Sequence, residues 1–152
     1  MIEIQALVSS AVYGTPQRIS NGFNAKRLNM LLAVLEKKVG FKIGVKEIFI
    51  NITGGIKIDD PALDLAVIFS ILSSNTNLSI ENGICFCAEI GLSGELRNVK
   101  NIDIRISEAE RLGYNKIIIS ENSKIQLKTT QIKILKFSKL SDVVKEVFKE
   151  QD

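Results

Sequence analysis

The chain has no histidine, so the commonest general base and the commonest neutral metal ligand are both missing from its inventory. What remains for acid–base or metal chemistry is a group of carboxylates, Asp59, Asp60 and Asp64, and a pair of thiols, Cys85 and Cys87. The aspartates fall at the start of a helical pattern, where carboxylates meet the positive end of the helix dipole. A hard cation would need more oxygen ligands than the sequence supplies nearby, so capping is their expected role. The cysteines are one residue apart, which puts both side chains on one face of a strand. A disulfide between them would be strained and two sulfurs are too few for structural zinc, so they read as small buried hydrophobes. Serines and lysines are numerous, but no spacing singles out a catalytic pair. No G-x-x-x-x-G-K-S/T phosphate loop occurs, nor a G-x-G-x-x-G or G-x-S-x-G motif in a strand–turn–helix context. Gly54-Gly55 could bring a phosphate near backbone N–H groups, although a turn is the expected use.

Charge is distributed unevenly. The net value is only +3. Between Gln17 and Lys46, however, Arg18, Lys26, Arg27, Lys37, Lys38, Lys42 and Lys46 face a single acid, Glu36. Such an excess attracts a polyanion such as nucleic acid, or simply forms a solvated helix face. The 152 residues, 45% hydrophobic and 24% charged, fit one globular domain over 1–152 with a real core. No apolar run approaches the roughly 18 residues that span a bilayer. The start lacks a basic n-region and a small-residue cleavage site, so cytoplasm without a membrane partner is the expected location.

The elements that would position these residues follow from periodicity. Residues 2–13 read as a strand interrupted by Gly14-Thr15-Pro16. Asn24 caps a helix to Val39 whose apolar stripe is Leu28, Leu31, Leu32, Leu35 and Val39, with Gly40 closing it. Residues 46–53 alternate as a second strand. Asp60 caps a helix with Pro61 at its first position and Leu63, Ala66, Val67, Ser70 and Ile71 inward. Residues 75–83 form a polar connection, 84–90 a strand, 91–94 a turn and 95–99 a short strand. A helix over 102–112 stops at Gly113; strands cover 116–120 and 132–137. Ser141 caps a last helix with Val143, Val144, Val147 and Phe148 inward. This order implies an α+β fold or a mixed α/β layer arrangement.

Three stretches carry a family resemblance. They are YGTPQRISNG (13–22) followed by RLNMLLAVLEK (27–37), FINITGGIK (49–57) running into DPALDLA (60–66), and EIGLSGELR (89–97) followed by Glu108-Ala109 and Leu112-Gly113. Their order and separation resemble the C-terminal Lon-protease-like domain of the RadA (Sms) family of bacterial recombination proteins, over nearly the whole chain. The resemblance implies a ribosomal-protein-domain-2-like fold, a mixed sheet with helices packed on it. In Lon the nucleophilic serine opens a helix in a G-P-S-A-G turn, and Ala62 stands at the matching position without an oxygen to attack a carbonyl. Asp103 stands where the Lon lysine would be, and a carboxylate cannot replace that amine. On this ground the chain is expected not to be an enzyme.

The resemblance further implies a DNA-binding and oligomerisation domain for DNA repair, recombination and branch migration, hexameric in the full-length family. A purely structural hexamerisation scaffold, with DNA contacts made by the ATPase domain alone, is the alternative. The family's zinc finger and RecA-like ATPase are not in this sequence, so it reads as a fragment. ATP, Mg and Zn are expected only in those parts, and the ATPase domain is an expected partner. The expected DNA contacts are Arg18, in the turn after the first strand; Lys26 and Arg27, whose charge opposes the dipole of the helix they open; and Arg97, Lys100 and Arg105. Aromatic residues do not interleave with these charges, so base stacking is not expected.

Overall fold

The computed structural model describes residues 1–149; the last three positions of the expected domain lie outside the described residues. The chain runs β1 (Ile4–Ser10), β2 (Arg18–Asn21), α1 (Ala25–Val34), β3 (Lys46–Ile52), α2 (Asp64–Thr76), β4 (Ile84–Cys87), β5 (Glu89–Ile90), β6 (Leu96–Arg97), α3 (Ile102–Arg111), β7 (Lys116–Ser120), β8 (Lys133–Phe137) and α4 (Leu140–Val147). Helices and mixed sheets alternate as the α+β reading expects.

Alternation on β3 builds the first sheet. Ile48, Ile50 and Ile52 are buried while Phe49 and Asn51 turn outward, as a period of two requires. β1 pairs with β3 antiparallel and β2 pairs with it in parallel, giving the order β1-β3-β2. Arg18 therefore opens a strand, correcting its expected place in a turn. β2 has only four residues, and its pairing to a strand about thirty positions away has no local signal.

Asn24 caps α1 as expected, its side chain accepting from the Arg27 N–H at 3.0 Å. The last turn, Leu35–Val39, widens into a π-helix and ends at Gly40 with φ of 87°, the left-handed conformation that favours glycine. Asp60 accepts from the Ala62 N–H at 3.0 Å, and Pro61–Leu63 forms a single 3-10 turn leading into α2. The expected stripe on α2 is corrected. Leu65, Val67, Ile68, Phe69, Ile71 and Leu72 are all buried, whereas Ala66 and Ser70 are half-buried. A helix enclosed on most sides has no single apolar stripe. It also runs to Thr76, into the expected connection.

The expected strand over 84–90 breaks at Ala88 into β4 and β5. β4, β7 and β8 form a parallel sheet in the order β4-β7-β8, and β5 pairs antiparallel with β6. Ser141 lies inside α4, whose N-terminal flanking residue is Lys139, with no side-chain cap. Two apolar clusters result. The larger joins α1, α2 and the inner face of the first sheet. The smaller, with Cys87, Ile106, Ala109 and Ile119, lies between the second sheet and α3.

Candidate functional site

The start of α2 holds a charge arrangement that capping alone does not describe. Asp64 is fully buried and accepts the Arg27 Nε–H at 2.6 Å, the Arg27 Nη2–H, and the Ile90 backbone N–H at 3.0 Å. The two-pronged contact uses the planar fork of guanidinium against carboxylate. Arg27 also reaches Glu89 at 3.5 Å. One turn earlier, Asp60 accepts from Arg105 at 2.8 Å, and Arg105 donates a second bond to the Lys100 carbonyl at 2.9 Å. Two aspartates four positions apart thus tie α1 and α3 to the start of α2.

Burial pushes the Asp64 carboxyl up from the ordinary carboxylate range, against the pull of Arg27 and the Ile90 N–H. Its hydrogen bond to Asp64 pushes Arg27 up in turn. Asp60 is also raised by burial, but the Ala62 N–H and Arg105 outweigh this and leave it below the usual range. The sequence marked both acids yet missed the buried ion pair. The available signal was a carboxylate running directly into the apolar stretch Leu65–Phe69, which a buried helix tolerates only with a counter-charge.

The six basic residues expected on DNA divide into two sets. Arg27, Arg97 and Arg105 hold acids: Asp64, Glu95 at 2.7 Å, and Asp60. Arg18 is exposed and donates to Asn29 at 3.3 Å. Lys26 and Lys100 are exposed and enter no ion pair among the described residues. The geometry makes Arg27 first a structural counter-ion, so that its charge is already spent within the fold.

Ala62 and Asp103 are separated. Ala62 is 3% exposed and lies in the wall of a cleft of about 560 Å³. Asp103 lines other concavities and accepts from the Gln126 N–H at 3.0 Å. From that end of α3 it is Ile104 and Arg105 that enter the Ala62 cleft. Both cysteines line it too. Burial pushes the Cys85 thiol up to about 12 and Cys87 to about 11. Among the described residues no group of three His, Cys, Asp or Glu is placed to hold a metal ion, and no helix is long and apolar enough to cross a membrane.

Comparison with known proteins bears on this arrangement. Residues 4–123 match the family model described as subunit ChlI of Mg-chelatase. The DNA repair protein RadA of Helicobacter pylori strain 26695 is 48% identical over 78% of this chain and 27% of its own length. RadA of Bacillus subtilis is 41% identical over 78% of this chain and 26% of its own, and RadA of Streptococcus pneumoniae is 36% identical over 97% and 36% respectively. The chain thus spans about a quarter to a third of the length of these relatives.

The family match overturns the expectation that this chain is not an enzyme, because the model describes a subunit of one. The expectation rested on Ala62 and Asp103, and the loss of a serine–lysine pair bears on peptide hydrolysis alone. By the extent of the match, the chain belongs to the family described as subunit ChlI of Mg-chelatase, and it is a relative of the DNA repair proteins RadA.

Proposed function

We propose that this chain is a DNA-contacting and self-assembling domain of a RadA-type DNA repair protein, with the Lon-protease-like fold that such proteins carry near the C-terminus. The observation that carries the reading is the relation to RadA proteins across four-fifths of the chain. The exposed cations Arg18, Lys26 and Lys100 support it, since phosphate contact needs positive charge that no carboxylate of the same chain neutralises. In a whole protein of this type the domain would serve recombination and branch migration within a hexameric ring. The ATP, Mg and Zn sites would lie in other parts of that protein, including the RecA-like domain with which this one would pack.

A salt series tests the reading. Binding of labelled duplex and single-stranded DNA, followed by fluorescence anisotropy, is expected to weaken steeply as salt rises. Changing Arg18, Lys26 and Lys100 together to alanine should lower both the affinity and the salt slope. No binding at low salt, or identical binding by the triple variant, would overturn the assignment of a DNA surface to these residues.

One observation favours the scaffold reading. Three of the six basic residues, Arg27, Arg97 and Arg105, already hold acids of this chain. A hexameric mass in sedimentation without DNA binding would select that alternative.

A further inference from the structure

The edges of the two three-stranded sheets are protected unequally. β1 is an edge strand, but α2 covers it: the Val8 N–H donates to the Ser74 hydroxyl at 2.9 Å, and Ser70 donates to the Ile4 carbonyl at 3.2 Å. β8 carries the exposed Lys133 and Lys136, and lysine is a common means of keeping an edge from pairing. β2 is short and opens with Arg18. β4 has none of these devices. Its four residues, Ile84, Cys85, Phe86 and Cys87, are uncharged, and β7 is its only partner strand.

The free side of β4 opens onto the 560 Å³ cleft that also holds Ala62. All four of its residues line that cleft. Successive side chains of a strand point to opposite faces, and they do so here. Phe86 stacks on Phe69 in the larger cluster with ring centroids 4.7 Å apart, while Cys85 and Cys87 pack with the smaller one. Four consecutive residues can border one cavity only if the strand presents its edge. The facing wall is a second extended stretch, Met1, Ile2, Glu3 and Ile4, again four in a row.

We propose that this cleft takes an extended, mostly apolar polypeptide segment bearing a basic side chain, which adds to β4 as a further strand. Only a polypeptide strand supplies donors and acceptors at the spacing of a sheet edge. The cleft lining selects apolar side chains on both of its faces. Charge selects the basic residue. Of the charged side chains lining the cleft, Arg105 is paired with Asp60 and Glu108 with Arg111. The Glu3 carboxylate accepts the Gln5 amide at 3.1 Å and enters no ion pair among the described residues. A lysine or arginine of the incoming strand would complete it.

The test uses the whole chain and a short dye-labelled peptide that alternates valine with threonine and ends in lysine. A copy N-methylated on the amides of one edge serves as control. The expected result is saturable anisotropy with the plain peptide, slowed amide exchange at β4, and no binding by the methylated copy. Glu3→Lys should weaken the lysine peptide by up to about fivefold, the size of an exposed ion pair, and a glutamate-ended peptide should recover that loss. Equal binding of the methylated copy, unchanged exchange at β4, or no effect of Glu3→Lys overturns the proposal. Slow exchange at β4 without peptide, together with a doubled mass in solution, also overturns it and assigns the cleft to a second copy of this chain.

Discussion

Asp64 shows how one side chain can be conspicuous in a sequence and still be misread. Its place at the start of a helix explains a carboxylate by dipole and cap alone. Its counter-ion lies 37 positions away, and no local rule connects the two. The consequence can be measured. Arg27→Met leaves Asp64 buried without its partner and should lower stability by about 3–5 kcal/mol at neutral pH. The sign of the pH dependence follows from burial. Without Arg27 the folded-state pKa of Asp64 rises further above its unfolded value, so the folded form takes up a proton more readily. The penalty should therefore be largest at neutral pH and shrink as pH falls through that raised value. Urea midpoints for both proteins at roughly pH 7 and pH 5 check it; a penalty that grows in acid would remove the ion pair as its cause. The cysteines were easier to read, because small apolar size and position on a buried strand are local properties. With thiols raised to about 12 and about 11, the nucleophilic thiolate is scarce at neutral pH. Iodoacetamide should label neither cysteine at the rate of an unfolded control near pH 8.

At the scale of elements, what the sequence revealed was what neighbouring residues decide. The cap at Asn24, the period of α1, the glycine at its end and the proline opening the next helix all stood where expected. The shortest strands and the exact boundaries were not legible, since β2, β5 and β6 hold between two and four residues each and exist through partners supplied by distant segments. The glycines allow a sharper test of how elements are joined. Gly22 and Gly40 both have φ of 87°, which costs an L-residue roughly 1–2 kcal/mol. An added Cβ at Gly40 meets nothing within 4 Å, whereas at Gly22 it would lie 2.4 Å from the Ile56 carbonyl oxygen. That approach is built into the fold, because the Ile58 N–H donates to the Gly22 carbonyl at 2.9 Å. Gly40→Ala should lose about the backbone cost alone, and Gly22→Ala distinctly more. Equal melting temperatures for the two variants would show that the 56–58 segment yields without cost.

For the molecule as a whole, the sequence led to the mixed arrangement of helices and sheets but not to its topology. The parallel pairings of β2 with β3 and of β4, β7 and β8 join segments separated by many residues, and the α+β reading leaves such pairings open. The same limit applies to charge. A run of basic residues looks uniform along the chain, yet folding brings acids to some of them and leaves others exposed. That division gives the DNA reading a graded consequence. On duplex DNA each lost phosphate contact should reduce the slope of log affinity against log salt by up to about 0.9. The triple change at Arg18, Lys26 and Lys100 should thus flatten the slope by several tenths or more. Arg97→Ala removes a charge of the same sign already held by Glu95, and it should leave the slope nearly unchanged. Both proteins carry intact acids and differ in whether the lost cation was free to meet a phosphate. If Arg97→Ala flattens the slope as much per residue as the triple change does, then pairing within the chain does not decide which cations meet DNA. Net charge would then account for the binding, without any particular surface.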